Sequence, residues 1–267
     1  MGIEVKRLTN GSLLLSQSKY VQDFLNRVGM ANAKGISTPL PSGLKFSKLK
    51  SDYMDDPSLY RSIVGALQYI TITRPEIGYS VNKACQFMAQ PLMDHWKVVK
   101  HILRYLKGSI AYVLHIQPIS NVQNNYTIHA YCDADWASDI DDRRSTSGAC
   151  IYFGSTLVSW WSKRYTLVAR LSVEVEYRSL ATTAIEIVWL QSLLHELYLK
   201  CNTLVIYCDN QSVVALSHNH VLHSRTKHME LDIFFVREKV LQQSLIVRHI
   251  PVVDQIADIL TKPLSQA

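Results

Sequence analysis

Residues 127–135 read Thr-Ile-His-Ala-Tyr-Cys-Asp-Ala-Asp, a strand-like run that ends in two acids. Thr127 to Tyr131 has the composition of a short β-strand, which places Asp133 at its end. An acid at the tip of an apolar strand is expensive to desolvate unless something cationic compensates it. The pattern recurs at Leu204 to Cys208, a buried-strand run followed directly by Asp209. Ala149 to Phe153 and Leu157 to Trp161 read as two more strands joined at Gly154-Ser155, and Leu245 to Ile250 as a fifth.

Helical patterns fill the intervals. Ser172 is placed to cap a long helix reaching about Leu197, with Glu176 in its first turn. A short helix is expected from Asn210, another from about His228 to Gln243, and a last one from Asp254 that carries Asp258 among Ile256, Ala257, Ile259 and Leu260. Three strands in a meander, then strands alternating with helices, predict an α/β domain with a mixed five-stranded sheet flanked by helices.

The region before residue 119 is organised differently. Ile3 and Val5, then Asn10-Gly11, then Leu13 to Leu15 predict a β-hairpin. Tyr20, Val21, Phe24, Leu25 and Val28 recur at helical spacing, and residues 35–50 read as a linker. Three helices follow, at about Pro57 to Ile70, from Pro75 to before Pro91, and over 91–107. On the third, Lys97, Lys100, Arg104 and Lys107 fall within a sector of roughly 80° at about 100° per residue. Such a stripe is commonly a solvated face; contact with a phosphate backbone is the alternative. The polar stretch 117–125 marks a boundary, giving expected domains of 1–118 and 119–267.

Charge divides at the same place. Residues 1–118 hold 15 Lys+Arg and 7 Asp+Glu, a net of +8, and the remainder 13 and 15, a net of −2. The first part has the balance of a polyanion binder, and the second has carboxylates to spare for divalent metal. Five cysteines without C-x-x-C spacing argue against a zinc finger or a disulfide framework, and read as buried thiols. No run of about 18 apolar residues is present, and no secretory pattern opens the chain. Lys6 stands where N-myristoylation wants Ser or Thr after Met1-Gly2.

Each acid has a plain explanation when taken singly. Asp209 could cap the Asn210 helix, and Glu176 could answer the helix dipole. Asp258, inside an apolar segment, is harder to explain so. Asp133, Glu176, Asp209 and Asp258 lie on elements that could meet at one sheet edge, and together they suggest bound divalent metal.

Six stretches in order then become recognisable: Tyr-Cys-Asp-Ala-Asp-Trp-Ala at 131–137, Asp-Asp-Arg-Arg-Ser-Thr-Ser-Gly at 141–148, Glu-Tyr-Arg-Ser-Leu-Ala at 176–181, Cys-Asp-Asn at 208–210, Arg-Thr-Lys-His at 225–228 with Glu230 and Asp232, and Gln-Ile-Ala-Asp-Ile-Leu-Thr-Lys-Pro at 255–263. Any one is weak; six at family-like spacing are specific. The second part resembles the ribonuclease H domain of copia-type retrotransposon Pol polyproteins. Residues 1–118 resemble the end of the reverse transcriptase in the same polyproteins, a thumb or connection remnant, through Gly-Ile-Glu-Val at 2–5, Tyr-Arg-Ser-Ile-Val-Gly-Ala-Leu-Gln-Tyr at 60–69 and Thr-Arg-Pro-Glu-Ile at 73–77. Tyr53-Met54-Asp55-Asp56 spells the polymerase Tyr-x-Asp-Asp motif, but it sits in the linker and is read as coincidence, so no polymerase activity is expected.

The resemblance implies a ribonuclease H-like fold and endonucleolytic cutting of the RNA strand of RNA–DNA hybrids. Two Mg²⁺ ions, replaceable by Mn²⁺, would be held by Asp133, Glu176, Asp209 and Asp258, with Asp135 in reserve. His249 matches a histidine that assists proton transfer or product release, a structural strand-end role being the plain alternative. Arg143, Arg144, Ser145, Arg225, Lys227 and His228 would contact the substrate, as would Lys97, Lys100, Arg104 and Lys107. Location by analogy is a cytoplasmic particle with nuclear access. One stretch departs from the family pattern: Trp161, Tyr165, Leu167, Leu171, Val173 and Val175 replace small polar residues, and are expected to crowd the helix start that positions Glu176. The alternative function is therefore a decayed, truncated copy that binds nucleic acid without cutting. Another nuclease of the same fold would space its acids differently, and a small-molecule enzyme would want a Gly-rich phosphate loop that is missing.

Overall fold

A computed structural model of the 267-residue chain describes residues 2–41, 47, 51–119, 125–219 and 229–264. The chain forms two compact units, residues 1–118 with 139–142 and 262–267, and residues 119–138 with 143–261.

In the first unit, β1 (Glu4–Arg7) and β2 (Leu13–Ser16) form the antiparallel hairpin. Its turn is longer than the two-residue kind that Asn10-Gly11 suggests. Only Gly11 takes a positive φ, of 84°, while Asn10 accepts the Ser12 N–H on its side-chain oxygen at 3.0 Å. The helices are α1 (Ser18–Arg27), α2 (Pro57–Ile70), α3 (Gly78–Cys85), which continues a 3-10 turn at Pro75–Ile77, and α4 (Met93–Gly108). Strand β3 (Leu114–Ile116) pairs antiparallel with β2. Phe24, Leu25, Tyr60, Leu67, Ile102 and Leu106 from three helices, α1, α2 and α4, fill one core. Asp56 accepts the Ser58 and Leu59 N–H groups, both at 2.9 Å, and so caps α2. That helix cap gives the Tyr53–Asp56 stretch a structural job.

The second unit contains β4 (Asn125–Tyr126), β5 (Ile128–Asp135), β6 (Thr146–Phe153), β7 (Thr156–Arg164), α5 (Ser172–Glu196), β8 (Lys200–Cys201), β9 (Leu204–Cys208), α6 (Gln211–His218), α7 (Glu230–Leu241) and β10 (Leu245–His249). The sheet order is β10-β9-β5-β6-β7. β5, β6 and β7 run antiparallel as a meander, whereas β9 lies parallel to β5 and β10 parallel to β9. This is the mixed five-stranded, helix-flanked architecture expected from the sequence. β4 and β8 make a separate parallel pair.

Three details differ from expectation. The meander strands run further, because the polar ends of β5 and β6 pair with each other from Cys132↔Ala149 to Asp135↔Thr146. Apolar composition alone undershoots such ends. Ser172 is the first residue of α5, not its cap, and the first turn is closed by Glu174, whose Oε2 accepts the Arg170 N–H at 3.1 Å. The last segment is a pair of 3-10 turns, Val252–Asp254 and Ile256–Leu260, and not an α-helix; the Gln255 side chain accepts the Ala257 N–H at 3.2 Å and breaks the run.

Strand alternation sorts the faces. Ile128, Ala130 and Cys132 of β5, with Leu204, Ile206 and Cys208 of β9, pack against Tyr177, Leu180, Ala181 and Ala184 of α5. Burying a side chain the size of Leu180 contributes about 1.5–3 kcal/mol, so this layer fixes α5, and Glu176 with it, over the sheet. No described helix is long and apolar enough to cross a membrane.

Candidate active site and metal centre

The parallel register of β5 and β9 begins the site. Tyr131 stands opposite Tyr207, so two residues further on Asp133 and Asp209 leave neighbouring strand ends about 4.8 Å apart in the sheet. Glu176 approaches from α5, one turn beyond the helix start; the first-turn acid that answers the helix dipole is Glu174, which pairs with Arg178 at 3.1 Å. Ligand atoms of Glu176, Cys208 and Asp209 all lie within 4.8 Å of one another. Glu176 and Asp209 are half-buried and Cys208 is buried.

The cap of α6 is Asn210, whose side chain accepts the N–H groups of Ser212 at 3.0 Å and Val213 at 3.2 Å. Capping therefore does not account for Asp209. Its Oδ1 is approached by Gln255 Nε2 at 3.4 Å, and the same amide donates to the Cys132 carbonyl at 2.9 Å.

Asp133 and Asp258 stand outside that group, held by a different device. Asp133 is 1% exposed, and its Oδ2 accepts a hydrogen bond from the Thr261 hydroxyl. The same Thr261 oxygen lies 3.3 Å from the Asp258 carbonyl, and Ser179 on α5 donates to the Asp133 carbonyl at 3.0 Å. Gly148, opposite Asp133 on β6, lets the 3-10 segment come this close: a Cβ there would stand 2.6 Å from Leu260 Cβ and 3.1 Å from Thr261 Cγ2. Asp135 ends β5 and is half-buried.

His249 ends β10 exposed, and its Nε2 donates to the Asp209 carbonyl at 3.1 Å. The ring is thus fixed at the same sheet edge as the acids. The neighbouring Cys208 thiol, and then burial, push the Cys132 thiol well up, and its Sγ donates to the Tyr207 carbonyl at 3.7 Å. At neutral pH it is a neutral group beside the acids.

The expected substrate contacts divide. Arg143 is exposed, with a positive φ of 57° in the β5–β6 connection, and Arg144 is half-buried. Ser145 is 0% exposed, and its hydroxyl accepts the Ala137 N–H at 3.0 Å. It latches the turn and is not presented to solvent, a correction to the expected phosphate contact. Arg225, Lys227 and His228 lie outside the described residues. On α4, Lys97 and Lys100 are exposed, with Lys97 paired to Asp94 at 2.7 Å and Lys100 over the Trp96 ring at 5.5 Å. Lys107 is half-buried. Arg104 donates to the Lys34 carbonyl at 3.0 Å and braces a loop.

The crowding expected at 161–175 does not develop. Leu167 and Leu171 are 64% and 53% exposed and turn to solvent. Val175 packs with Ala134 and Ala169, against which Tyr165 rests, while Trp161 and Val173 rest on the main core. The start of α5 keeps its place. Sequence reading missed Cys208, Gln255 and Thr261. Their signal was present, since all three stand inside the recognised stretches at 208–210 and 255–263.

No protein-family model matches the chain. It is 44% identical over 267 residues to the retrovirus-related Pol polyprotein from transposon RE2 of Arabidopsis thaliana, covering 100% of this chain and 18% of that one. It is 39% identical to the Pol polyprotein from transposon TNT 1-94 of Nicotiana tabacum, over 97% of this chain and 20% of that one. The chain belongs to the Pol polyproteins of copia-type retrotransposons. This Pol segment spans about a fifth of the length of those relatives. It is also 46% identical to an uncharacterized mitochondrial protein of Arabidopsis thaliana, over 71% of this chain and 76% of that one. Among solved structures, LC11-RNase H1 in complex with RNA/DNA hybrid aligns with 51% of this Pol segment and 94% of its own chain, at 18% identity and TM-score 0.39. A foamy viral protease-reverse transcriptase in complex with dsDNA aligns with 93% of this segment and 45% of its own chain, at 9% identity and TM-score 0.45.

Proposed function

We propose that this chain hydrolyses the RNA strand of RNA–DNA hybrids at the edge of its five-stranded sheet, as one part of a retrotransposon Pol polyprotein. The observation that carries the reading is the convergence of Glu176 and Asp209, with Cys208, within 4.8 Å at that edge. Glu176 and Asp209, joined by Asp133 and Asp258, would hold two divalent ions, Mg²⁺ with Mn²⁺ as substitute, because the carboxylates are hard oxygen donors. Such ions polarise a scissile phosphate and lower the pKa of the attacking water.

The chain's own groups have separate tasks. Gln255 orients Asp209, and Thr261 orients Asp133 toward the segment bearing Asp258. His249, exposed and tied to the Asp209 backbone, is placed to pass a proton between the site and solvent. Arg143 and Arg144 line the connection beside the site, and the exposed Lys97 and Lys100 of the basic first unit suit nucleic-acid backbone. Residues 1–118 act in this reading as the reverse-transcriptase remnant that grips the substrate.

One observation favours the second reading, a copy that binds without cutting. Asp133 is buried against Thr261 and outside the tight donor group. The two readings separate on hybrids labelled on either strand. Cutting of the RNA strand in Mg²⁺, with the DNA strand and an all-DNA duplex intact, is the expected result. Retention of the hybrid on the protein without cutting in Mg²⁺ or Mn²⁺ would leave only the binding role.

A further inference from the structure

Cys208 differs in kind from the other donors at this edge. Its sulfur lies within 4.8 Å of the Glu176 and Asp209 carboxylate oxygens, and the backbone N–H of Asn210 points at it from 3.4 Å. On the adjacent parallel strand, one residue beyond the Tyr131↔Tyr207 pair, the buried Cys132 thiol is turned to the Tyr207 carbonyl at 3.7 Å and stands outside the group. One soft sulfur and two hard carboxylates thus meet at one point. Magnesium has little affinity for sulfur, so its binding engages only the oxygens. Zinc and cadmium take mixed sulfur and oxygen sets in four-coordinate sites.

We propose that Cys208, Glu176 and Asp209, with water from the open side as fourth donor, form a site for one thiophilic divalent ion, zinc or cadmium, whose occupancy excludes magnesium. The exclusion of catalysis rests on the nuclease reading above; the binding does not. As the sulfur–metal bond forms, the thiol proton passes to the buffer, and no electron transfer is involved. Donors around one such ion stand roughly 3.5 Å apart, from bond lengths of about 2.0–2.3 Å. The present donors lie within 4.8 Å of one another, and the half-buried Glu176 side chain has three torsions with which to turn toward an ion. The half-buried carboxylates give the ion its way in, and the buried Cys208 thiol gives it an inner wall.

The test titrates the metal-free full chain with cadmium ions and follows the ultraviolet thiolate-to-cadmium absorption. The expected result is a band that saturates near one equivalent, persists in a Cys85→Ser/Cys201→Ser background, and is lost in Cys208→Ser. Glu176→Gln is expected to weaken cadmium binding by at least about tenfold. Circular dichroism reports whether each variant folds, and Glu176→Gln decides the matter should Cys208→Ser not fold. No band, or a band indifferent to both substitutions, would overturn the site. Hybrid cleavage run in parallel separates the two proposals. Cleavage in Mg²⁺ without a Cys208-dependent band removes the thiophilic site and leaves the nuclease. A Cys208-dependent band without cleavage leaves the site and removes the nuclease. Where both hold, stoichiometric zinc is expected to stop cleavage in Mg²⁺, and undiminished cleavage by the zinc-loaded chain would overturn the exclusion.

Discussion

Gly148→Ala is the substitution from which the geometry extracts most. The added Cβ would stand 2.6 Å from Leu260 Cβ, 3.2 Å from the Leu260 carbonyl carbon and 3.1 Å from Thr261 Cγ2. Carbon atoms rest at about 3.5–4.0 Å, so the 3-10 segment must retreat by roughly 1 Å. Neither neighbour is the far end of a flexible side chain that could swing aside. The retreat stretches the Thr261–Asp133 hydrogen bond and carries Asp258 away from the sheet. Overpacking of this kind costs about 1–3 kcal/mol, and loss of a hydrogen bond to a charged group about 1.5–3 kcal/mol. A 1 Å misplacement of reacting groups costs about 100-fold in rate. The assay pairs urea unfolding with hybrid cleavage in Mg²⁺, with Thr261→Val as the comparison that deletes the hydrogen bond while keeping the shape. Both variants are expected to lose stability, and Gly148→Ala to lose about 100-fold in cleavage. A Gly148→Ala chain with wild-type stability and a cleavage rate within threefold would refute the view that close approach at this glycine sets the position of Asp258.

Three more outcomes are expected. His95 accepts the Leu92 N–H on Nδ1 at 3.0 Å and donates from Nε2 to the Ser47 carbonyl at 3.1 Å, and burial lowers its pKa. The unfolded chain therefore takes up the proton first. Its contribution is full above pH about 6.5 and is lost as pH falls toward the depressed folded value, so the thermal midpoint should drop on going from pH 7.5 to 5.5, by less in His95→Gln; an equal drop in both excludes this residue as the cause. Asn210→Ala should cost about 1 kcal/mol through loss of the α6 cap, whereas Asp209→Asn should leave urea stability within about 0.5 kcal/mol in metal-free buffer; the reverse order in chemical denaturation would make Asp209 the cap after all. Lys97→Ala with Lys100→Ala should lower the salt slope of hybrid binding by about 2 without loss of stability, while Arg104→Ala should destabilise by removing the bond to the Lys34 carbonyl; an unchanged slope in the double variant would make the stripe a solvated face only.

Element type was legible wherever periodicity was long or turn chemistry explicit. The helix expected from about Pro57 to Ile70 is α2, and the apolar run Leu204 to Cys208 is the strand observed. The ends of β5 and β6 were not legible, because Asp133, Asp135, Ser147 and Gly148 do not look like strand residues until each is seen paired across the ladder. The terminal 3-10 turns were misread as an α-helix because Gln255 interrupts the backbone with its side chain, which apolar periodicity cannot register. For the site, the four acids could be picked from their positions against apolar elements. What remained hidden was how they divide: Glu176 and Asp209 with a sulfur, Asp133 and Asp258 through a threonine. That division depends on side-chain direction at two strand ends and on a close approach at Gly148, neither of which spacing along a chain encodes.

The most direct measurement is the rate at which the chain cuts the RNA strand of a labelled RNA–DNA hybrid in Mg²⁺, beside the same chain in chelator and beside Asp209→Asn. Each lost decade of rate corresponds to about 1.4 kcal/mol of transition-state stabilisation, and removal of one ligand to a metal that supplies several kcal/mol should cost at least about 100-fold. The account predicts Mg²⁺-dependent cutting of the RNA strand that falls by that factor in Asp209→Asn. Cutting that survives Asp209→Asn, or a wild-type chain that leaves the hybrid whole in Mg²⁺ and Mn²⁺, would contradict it.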